Sequence, residues 1–111
     1  MTTLSTHVLD AASGRPAAGV RVTLDRRDGD GWRPLGAGVT DDDGRVRDLA
    51  PGGLEAGVHR LVFATGEWFA ATGQTGFYPE VPVVFEVTAG GGHYHVPLLL
   101  SPFAFSTYRG S

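Results

Sequence analysis

Hydrophobic and polar residues alternate with a period of two along most of the chain. Apolar residues alternate with polar ones over 20–25, and similar alternation recurs over 59–63 and 81–87. Because successive side chains of a strand point to opposite faces, each run predicts a strand with one buried face. Glycine-rich turn sequences at 28–31 and 90–92 punctuate these runs, and the 17 glycines of the chain fit many short strands.

One segment, residues 65–73, departs from this alternation and predicts a helix of about two turns. Thr65 is placed to act as the N-cap, Glu67 suits the first turn, and Gly73 can adopt the left-handed conformation that ends a helix. Together the patterns predict an all-β fold in a single domain over residues 1–111. We expect an antiparallel β-sandwich of seven or eight strands with one short helix.

Composition excludes several function classes. The net charge is −3 and no basic stripe is present, which argues against nucleic acid or an anionic membrane as a partner. All nine basic residues are arginine, so Schiff-base chemistry on lysine is excluded, and the absence of cysteine excludes disulfides, thiolate nucleophiles and cysteine-bound zinc. The start of the chain lacks a signal-peptide pattern and no stretch reaches about 20 apolar residues, so we expect a cytoplasmic protein.

Histidine is the main candidate for chemistry. His93 and His95 stand two apart in a predicted strand, so their side chains leave the same face. Such a pair can bind Zn or Cu, can act as general acid and base near neutral pH, or can be two half-exposed strand residues. His7 interrupts a strand-like run where an apolar or hydroxyl residue would suffice. Arg45 follows an Asp-Gly turn as a hairpin charge would, and His59 is assigned a structural role.

The C-terminal stretch is unusual for a chain terminus. Residues 93–111 contain two histidines, two tyrosines and an arginine, and they include Tyr108 and Arg109. Termini usually fray and tolerate change. A terminus built from imidazole, phenol and guanidinium groups therefore indicates a segment that is held in place and used, although Arg109 alone would also fit a solvated surface charge.

Several motifs together carry a resemblance to a known family. They are residues 6–10, 14–20, 43–45, 77–79, 93–102 and 106–111. These motifs resemble those of the transthyretin-like 5-hydroxyisourate hydrolases, from residue 4 to residue 111. The closing segment resembles the terminal tetrapeptide that separates those enzymes from transthyretin, the hormone carrier of the same fold. Departures from the family pattern are His59, where an aromatic is more frequent, and Ala104 in the last strand.

The resemblance implies a transthyretin-like (prealbumin) sandwich that assembles as a homotetramer, a dimer of dimers with the sites in a channel. It implies a cyclic amide hydrolase of purine metabolism that opens the six-membered ring of 5-hydroxyisourate. The product would be 2-oxo-4-hydroxy-4-carboxy-5-ureidoimidazoline, in urate degradation. It implies a small-molecule substrate, with no cofactor, no bound metal, no nucleic acid and no membrane.

The resemblance also implies which residues form the site. The implied catalytic residues are His7, Arg45, His95 and Ser111, and the implied substrate-binding residues are His7, Arg45, Tyr108 and Arg109. The arginine fork can hold a carbonyl edge of the heterocycle, and the two imidazoles can divide the work of base and acid. The sequence leaves open which histidine takes which role. Tyr108 can stack on the ring or bond to it, and the hydroxyl or carboxylate of Ser111 can orient a histidine.

Two alternatives come from other functional classes. A non-catalytic ligand carrier on the transthyretin fold would need small apolar or hydroxyl residues where His7, Arg45 and His95 stand, so the sequence argues against it. A structural β-sandwich module would need neither the histidine pair nor a fixed terminus.

Overall fold

Two β-sheets and one short helix make up the molecule in the computed structural model, which describes residues 1–111. The elements are β1 (Thr2–Asp10), β2 (Arg15–Pro16), β3 (Arg21–Asp28), β4 (Gly31–Val39), β5 (Arg45–Val46), β6 (Gly57–Phe63), α1 (Thr65–Ala71), β7 (Val81–Val87), β8 (Gly92–Ser101) and β9 (Ala104–Thr107). The predicted sandwich with one helix is confirmed, and the two-residue strands β2 and β5 bring the strand total to nine. The helix is too short to cross a membrane.

The first sheet has the order β2-β1-β8-β9, with β5 also paired to β1, and the second has the order β4-β3-β6-β7. Every pair is antiparallel except β1 with β8. In that parallel pair Thr3 lies beside His93 and Ser5 beside His95. Strand β1, at the start of the chain, thus runs alongside the part of β8 that carries His93 and His95.

The core lies between the sheets and follows the predicted alternation. Val22 and Leu24 of β3, and Leu61 and Phe63 of β6, are fully buried in one apolar cluster of 19 residues. In β1 the alternation places threonine, leucine and valine inward, and it turns Thr3, Ser5 and His7 outward. The outer face of the first sheet is therefore free to carry polar side chains.

Helix α1 confirms one predicted end and corrects the other. Thr65 was predicted to be the N-cap, and this is wrong: the capping position is Ala64, with no side-chain cap. The reason is that Thr65 is fully buried and its hydroxyl donates to the carbonyl of Tyr78 at 2.7 Å. At the other end Gly73 has φ 72° and its N–H donates to the carbonyl of Ala70, as predicted for a left-handed helix end.

His59 lies in the core, in keeping with the structural role assigned to it. Its ring is fully buried and stacks on Phe85, with ring centroids 5.9 Å apart. Nδ1 donates to the carbonyl of Gly57 at 3.1 Å, and Nε2 has no partner. Burial lowers the pKa of His59, because the charged form would have to be desolvated. The neutral ring is thus the form that the fold accommodates.

Candidate active site

Polar side chains from three strands meet on the outer face of the first sheet. β1 turns Ser5 and His7 to this face, and the neighbouring β8 contributes His93 and His95. The predicted shared face of His93 and His95 is confirmed, because the hydroxyl of Ser5 is within hydrogen-bond distance of both rings. No three His, Cys, Asp or Glu side chains are grouped so that they could hold a metal ion.

Arg45 reaches this face because a tight turn packs against β1. The carboxylate of Asp41 accepts the backbone N–H of Arg45 at 3.0 Å, which holds the pKa of that carboxyl below its usual range. Gly44 has φ 75°, and a Cβ on it would lie 2.4 Å from the carbonyl oxygen of Val8. The turn can therefore sit directly on β1, which places Arg45 opposite His7 in the β1–β5 pairing.

A cavity of about 240 Å³ opens over these residues. Its lining has no hydrophobic residue and consists of Ser5, Thr6, Arg45, Arg47, His93 and His95. Sequence reasoning missed Ser5 and Arg47. The available signal was the period of two, since Ser5 precedes His7 by two positions and Arg47 follows Arg45 by two.

Partial burial and the neighbouring basic groups both act on the pKa of His95. Burial lowers the pKa of His95, and the neighbouring His7, Arg45 and His93 lower that pKa further. The ring therefore favours its neutral form near pH 7, and a neutral imidazole can accept a proton as a general base.

The C-terminal segment is held against His95. The N–H of Gly110 donates to the carbonyl of His95 at 2.8 Å, and a Cβ on Gly110 would lie 2.5 Å from Cδ2 of the imidazole. Only glycine fits this approach without a shift of the ring. Ser111 follows directly after this contact. The interpretation of the terminus as a fixed segment gains support from this packing.

Tyr108 and Arg109 occupy a different place within the single chain. Both line a second cavity of about 150 Å³, which also includes Phe85 of β7 and Tyr94 of β8. The guanidinium of Arg109 lies 4.5 Å from the centre of the Tyr94 ring. The structure brings Arg45 and His95 into one cavity beside His7, but it does not bring Tyr108 or Arg109 there within one chain.

Comparisons of the sequence with known proteins point to one family. The model of the HIUase/Transthyretin family matches residues 4–110. A protein from Caulobacter vibrioides named 5-hydroxyisourate hydrolase is 48% identical over 115 residues, covering 100% of both chains.

Two solved structures share the fold. The 5-hydroxyisourate hydrolase of Klebsiella pneumoniae superposes with a TM-score of 0.89 at 38% identity, over 99% of this chain and 100% of that one. Transthyretin from Sparus aurata has the same TM-score of 0.89 at 35% identity, over 96% of this chain and 95% of its own. The backbone therefore does not separate a 5-hydroxyisourate hydrolase from transthyretin, and the residues of the site must do so.

Proposed function

The chain belongs to the HIUase/Transthyretin family, and we propose that it hydrolyses 5-hydroxyisourate to 2-oxo-4-hydroxy-4-carboxy-5-ureidoimidazoline in urate degradation. The observation that carries this proposal is the polar cavity in which Arg45 and His95 meet, with His7 opposite Arg45 in the adjoining strand. Relatives that carry this enzyme name match nearly the whole chain. The carrier alternative is not favoured, because no hydrophobic residue lines the cavity to receive an apolar ligand.

The arginine side chains suit the recognition of this substrate. 5-Hydroxyisourate is a flat heterocycle rich in carbonyl groups, and the planar fork of Arg45 can donate two hydrogen bonds to one edge of it. Arg47 lines the same cavity, and its guanidinium pairs with Asp43 at 3.4 Å and with Asp41 at 3.9 Å. We propose that Arg45 also stabilises the negative charge that develops when water adds to the ring carbonyl.

The two histidines supply the proton transfers. Ring opening needs a base to take a proton from the attacking water, and an acid to protonate the ring nitrogen when the C–N bond breaks. His7 and His95 divide this work, and the low pKa of His95 suits the base. Each such transfer contributes about 10²- to 10⁴-fold to the rate. The products of these steps are a carboxyl group and a free ureido nitrogen.

The C-terminal residues complete the proposed site. Gly110 packs on His95, which supports a role for Ser111 in orienting that ring. Tyr108 is 58% exposed and faces a separate cavity in the single chain. We propose that Tyr108 and Arg109 contact substrate in the assembled protein, where neighbouring copies bring these side chains to the site.

A homotetramer is proposed as the active form. Strands β7 and β9 are the outer strands of their sheets, and every residue of β9 is exposed. Unpaired edges of this kind are ready to pair with another chain. Edge-to-edge dimers would then associate through the outer faces of their first sheets and enclose the polar cavities in a channel. The cytoplasmic location stays a prediction.

The direct test is the decay of freshly prepared 5-hydroxyisourate, followed by absorbance with and without the folded protein in EDTA. We expect micromolar protein or less to accelerate the decay well beyond the spontaneous rate. A variant carrying both His7→Asn and His95→Asn serves as the matched control for nonspecific effects. Equal decay rates with and without the folded wild-type protein would contradict the proposed function.

A further inference from the structure

A continuous chain of hydrogen bonds links His95 to the exposed surface of the sheet. The hydroxyl of Ser5 lies 2.8 Å from Nδ1 of His95 and 2.8 Å from Nε2 of His93. Nδ1 of His93 in turn lies 2.6 Å from the hydroxyl of Thr3. This series of hydrogen bonds runs from the half-buried His95 to the exposed His93, and the mechanism above does not use it.

The number of protons that each group can donate restricts this series of hydrogen bonds to two directions. The hydroxyl of Ser5 has one proton, so it can donate to only one of the two rings and must accept from the other. When Ser5 donates to His93, it accepts from Nδ1–H of His95, whose Nε2 then carries a lone pair. When the direction reverses, His95 carries its proton on Nε2. Nε2 of His95 makes no hydrogen bond to the rest of the protein, so it is the atom left for the reaction.

We propose that Ser5 and His93 form a proton relay behind His95, and this inference rests on the proposed function. When the attacking water loses a proton to Nε2 of His95, the Nδ1 proton of His95 passes to Ser5 Oγ. The hydroxyl proton of Ser5 passes to Nε2 of His93. One proton has entered, and the positive charge has moved from His95 to His93. His95 is again neutral, now with Nε2–H. After His7 has protonated the leaving ring nitrogen, Nε2 of His95 releases its proton to solvent and the relay runs backwards, which returns Ser5, His93 and His95 to their starting states.

The electrostatics of the cavity favour this displacement of charge. The titratable and charged side chains near the His95 ring are His7 from β1, Arg45 from β5, Arg47 just after β5, and His93 from β8. No carboxylate side chain lines the cavity, and Asp41 and Asp43 are paired with Arg47. The C-terminal segment packs the uncharged Gly110 on the ring. An imidazolium at His95 would lie half-buried beside these positive groups. Solvent can stabilise the same charge better at the exposed His93.

Kinetics with matched variants test the relay. Ser5→Ala breaks the chain, and His93→Gln keeps a polar group but cannot carry the proton. We expect each to lower kcat about tenfold or more, with KM changed much less, because proton transfer and not binding is affected. The double variant should be no slower than either single variant. Ser5→Thr retains the hydroxyl and should restore kcat, whereas Ser13→Ala, in an exposed turn, should match the wild type.

The pH profile tests the electrostatic coupling of His93 to His95, and NMR tests their coupling through hydrogen bonds. His93→Gln removes a group that lowers the pKa of His95, so the acid limb of kcat should move to higher pH. Imidazole ¹⁵N NMR without substrate should show that the tautomer populations of His95 change in His93→Gln, although Ser5 stands between the two rings.

Two sets of results would overturn the relay. Unchanged kcat and pH profile in both Ser5→Ala and His93→Gln, with His95→Asn inactive, would leave the proposed function intact and remove the relay. Unchanged ¹⁵N shifts of His95 in both variants would show that the hydrogen bonds through Ser5 do not couple the rings of His93 and His95. Because the NMR measurement needs no turnover, it tests the coupling even if wild-type protein fails to hydrolyse 5-hydroxyisourate.

Discussion

Gly110 packs against the imidazole of His95, and a Cβ at this position would come within 2.5 Å of Cδ2 of the ring. The backbone N–H of Gly110 also donates to the carbonyl of His95. The terminal segment therefore restricts the position of the ring, and the hydroxyl of Ser5 restricts it further through Nδ1.

Gly110→Ala should displace the ring of His95 and lower kcat about tenfold or more, since small misplacements of a catalytic group are costly. Steady-state kinetics of 5-hydroxyisourate hydrolysis measure the effect. Gly52→Ala is the matched control, because a Cβ there would meet nothing within 4 Å. Wild-type kcat in Gly110→Ala would mean that the terminal segment does not position the ring.

His7→Asn and His95→Asn should each lower kcat by about 10²- to 10⁴-fold, because asparagine retains hydrogen bonding but cannot exchange a proton at neutral pH. Both residues face outward from the sheet, so circular dichroism and thermal unfolding should stay close to the wild type. His59→Phe lies outside the cavity and should keep kcat unchanged. Full turnover in either asparagine variant would remove that histidine from the mechanism.

Arg45→Lys should both raise KM and lower kcat, because lysine keeps the charge but lacks the planar fork that grips a carbonyl edge. Saturation kinetics separate the two effects. Arg33→Lys is a suitable control, since Arg33 is exposed on the second sheet, away from the cavity. Equal KM and kcat in Arg45→Lys and wild type would show that only the charge matters.

The buried ring of His59 predicts a pH-dependent stability. Its pKa is lowered in the folded protein, so below the unfolded value of about 6.5 the unfolded chain binds more protons than the folded one. The free energy of unfolding should therefore fall as pH drops below this value, by up to about 1.4 kcal/mol per pH unit. This contribution is fully present above that pH.

Urea unfolding between pH 5 and pH 8, at one fixed protein concentration, measures this dependence. His59→Phe keeps an aromatic ring beside Phe85 and removes the unpaired Nε2. The variant should lose this part of the pH dependence and be at least as stable as wild type at pH 5. An identical pH slope in wild type and variant would assign the dependence to other groups.

Assembly should be required for activity. Light scattering and sedimentation should report four chains, and the activity per chain should fall on dilution below the range where the tetramer persists. The reason is that Tyr108 and Arg109 lie away from the polar cavity in a single chain. A stable monomer with full activity would refute the placement of the site between subunits.

Local features could be predicted from the sequence because they depend on neighbouring residues. The alternation over β3 and β6 identified the buried faces, and it also placed His93 and His95 on one side of β8. The Asp-Gly turn before Arg45 and the left-handed Gly73 likewise follow from backbone preferences at single positions. His7 and Arg45 could be named as candidates, but their place opposite each other came only from the β1–β5 pairing.

Long-range pairing decided the rest. Ser5 stands between His93 and His95 only because β1 and β8 run parallel, which joins residues 90 positions apart in the chain. No period or turn residue encodes that neighbour, since the choice depends on how all the strands share one core. The family resemblance implied that Tyr108 and Arg109 belong to the site, yet in the single chain they line another cavity. Composition and spacing determined which chemistry is available, and the packing of the sheets decided which groups meet.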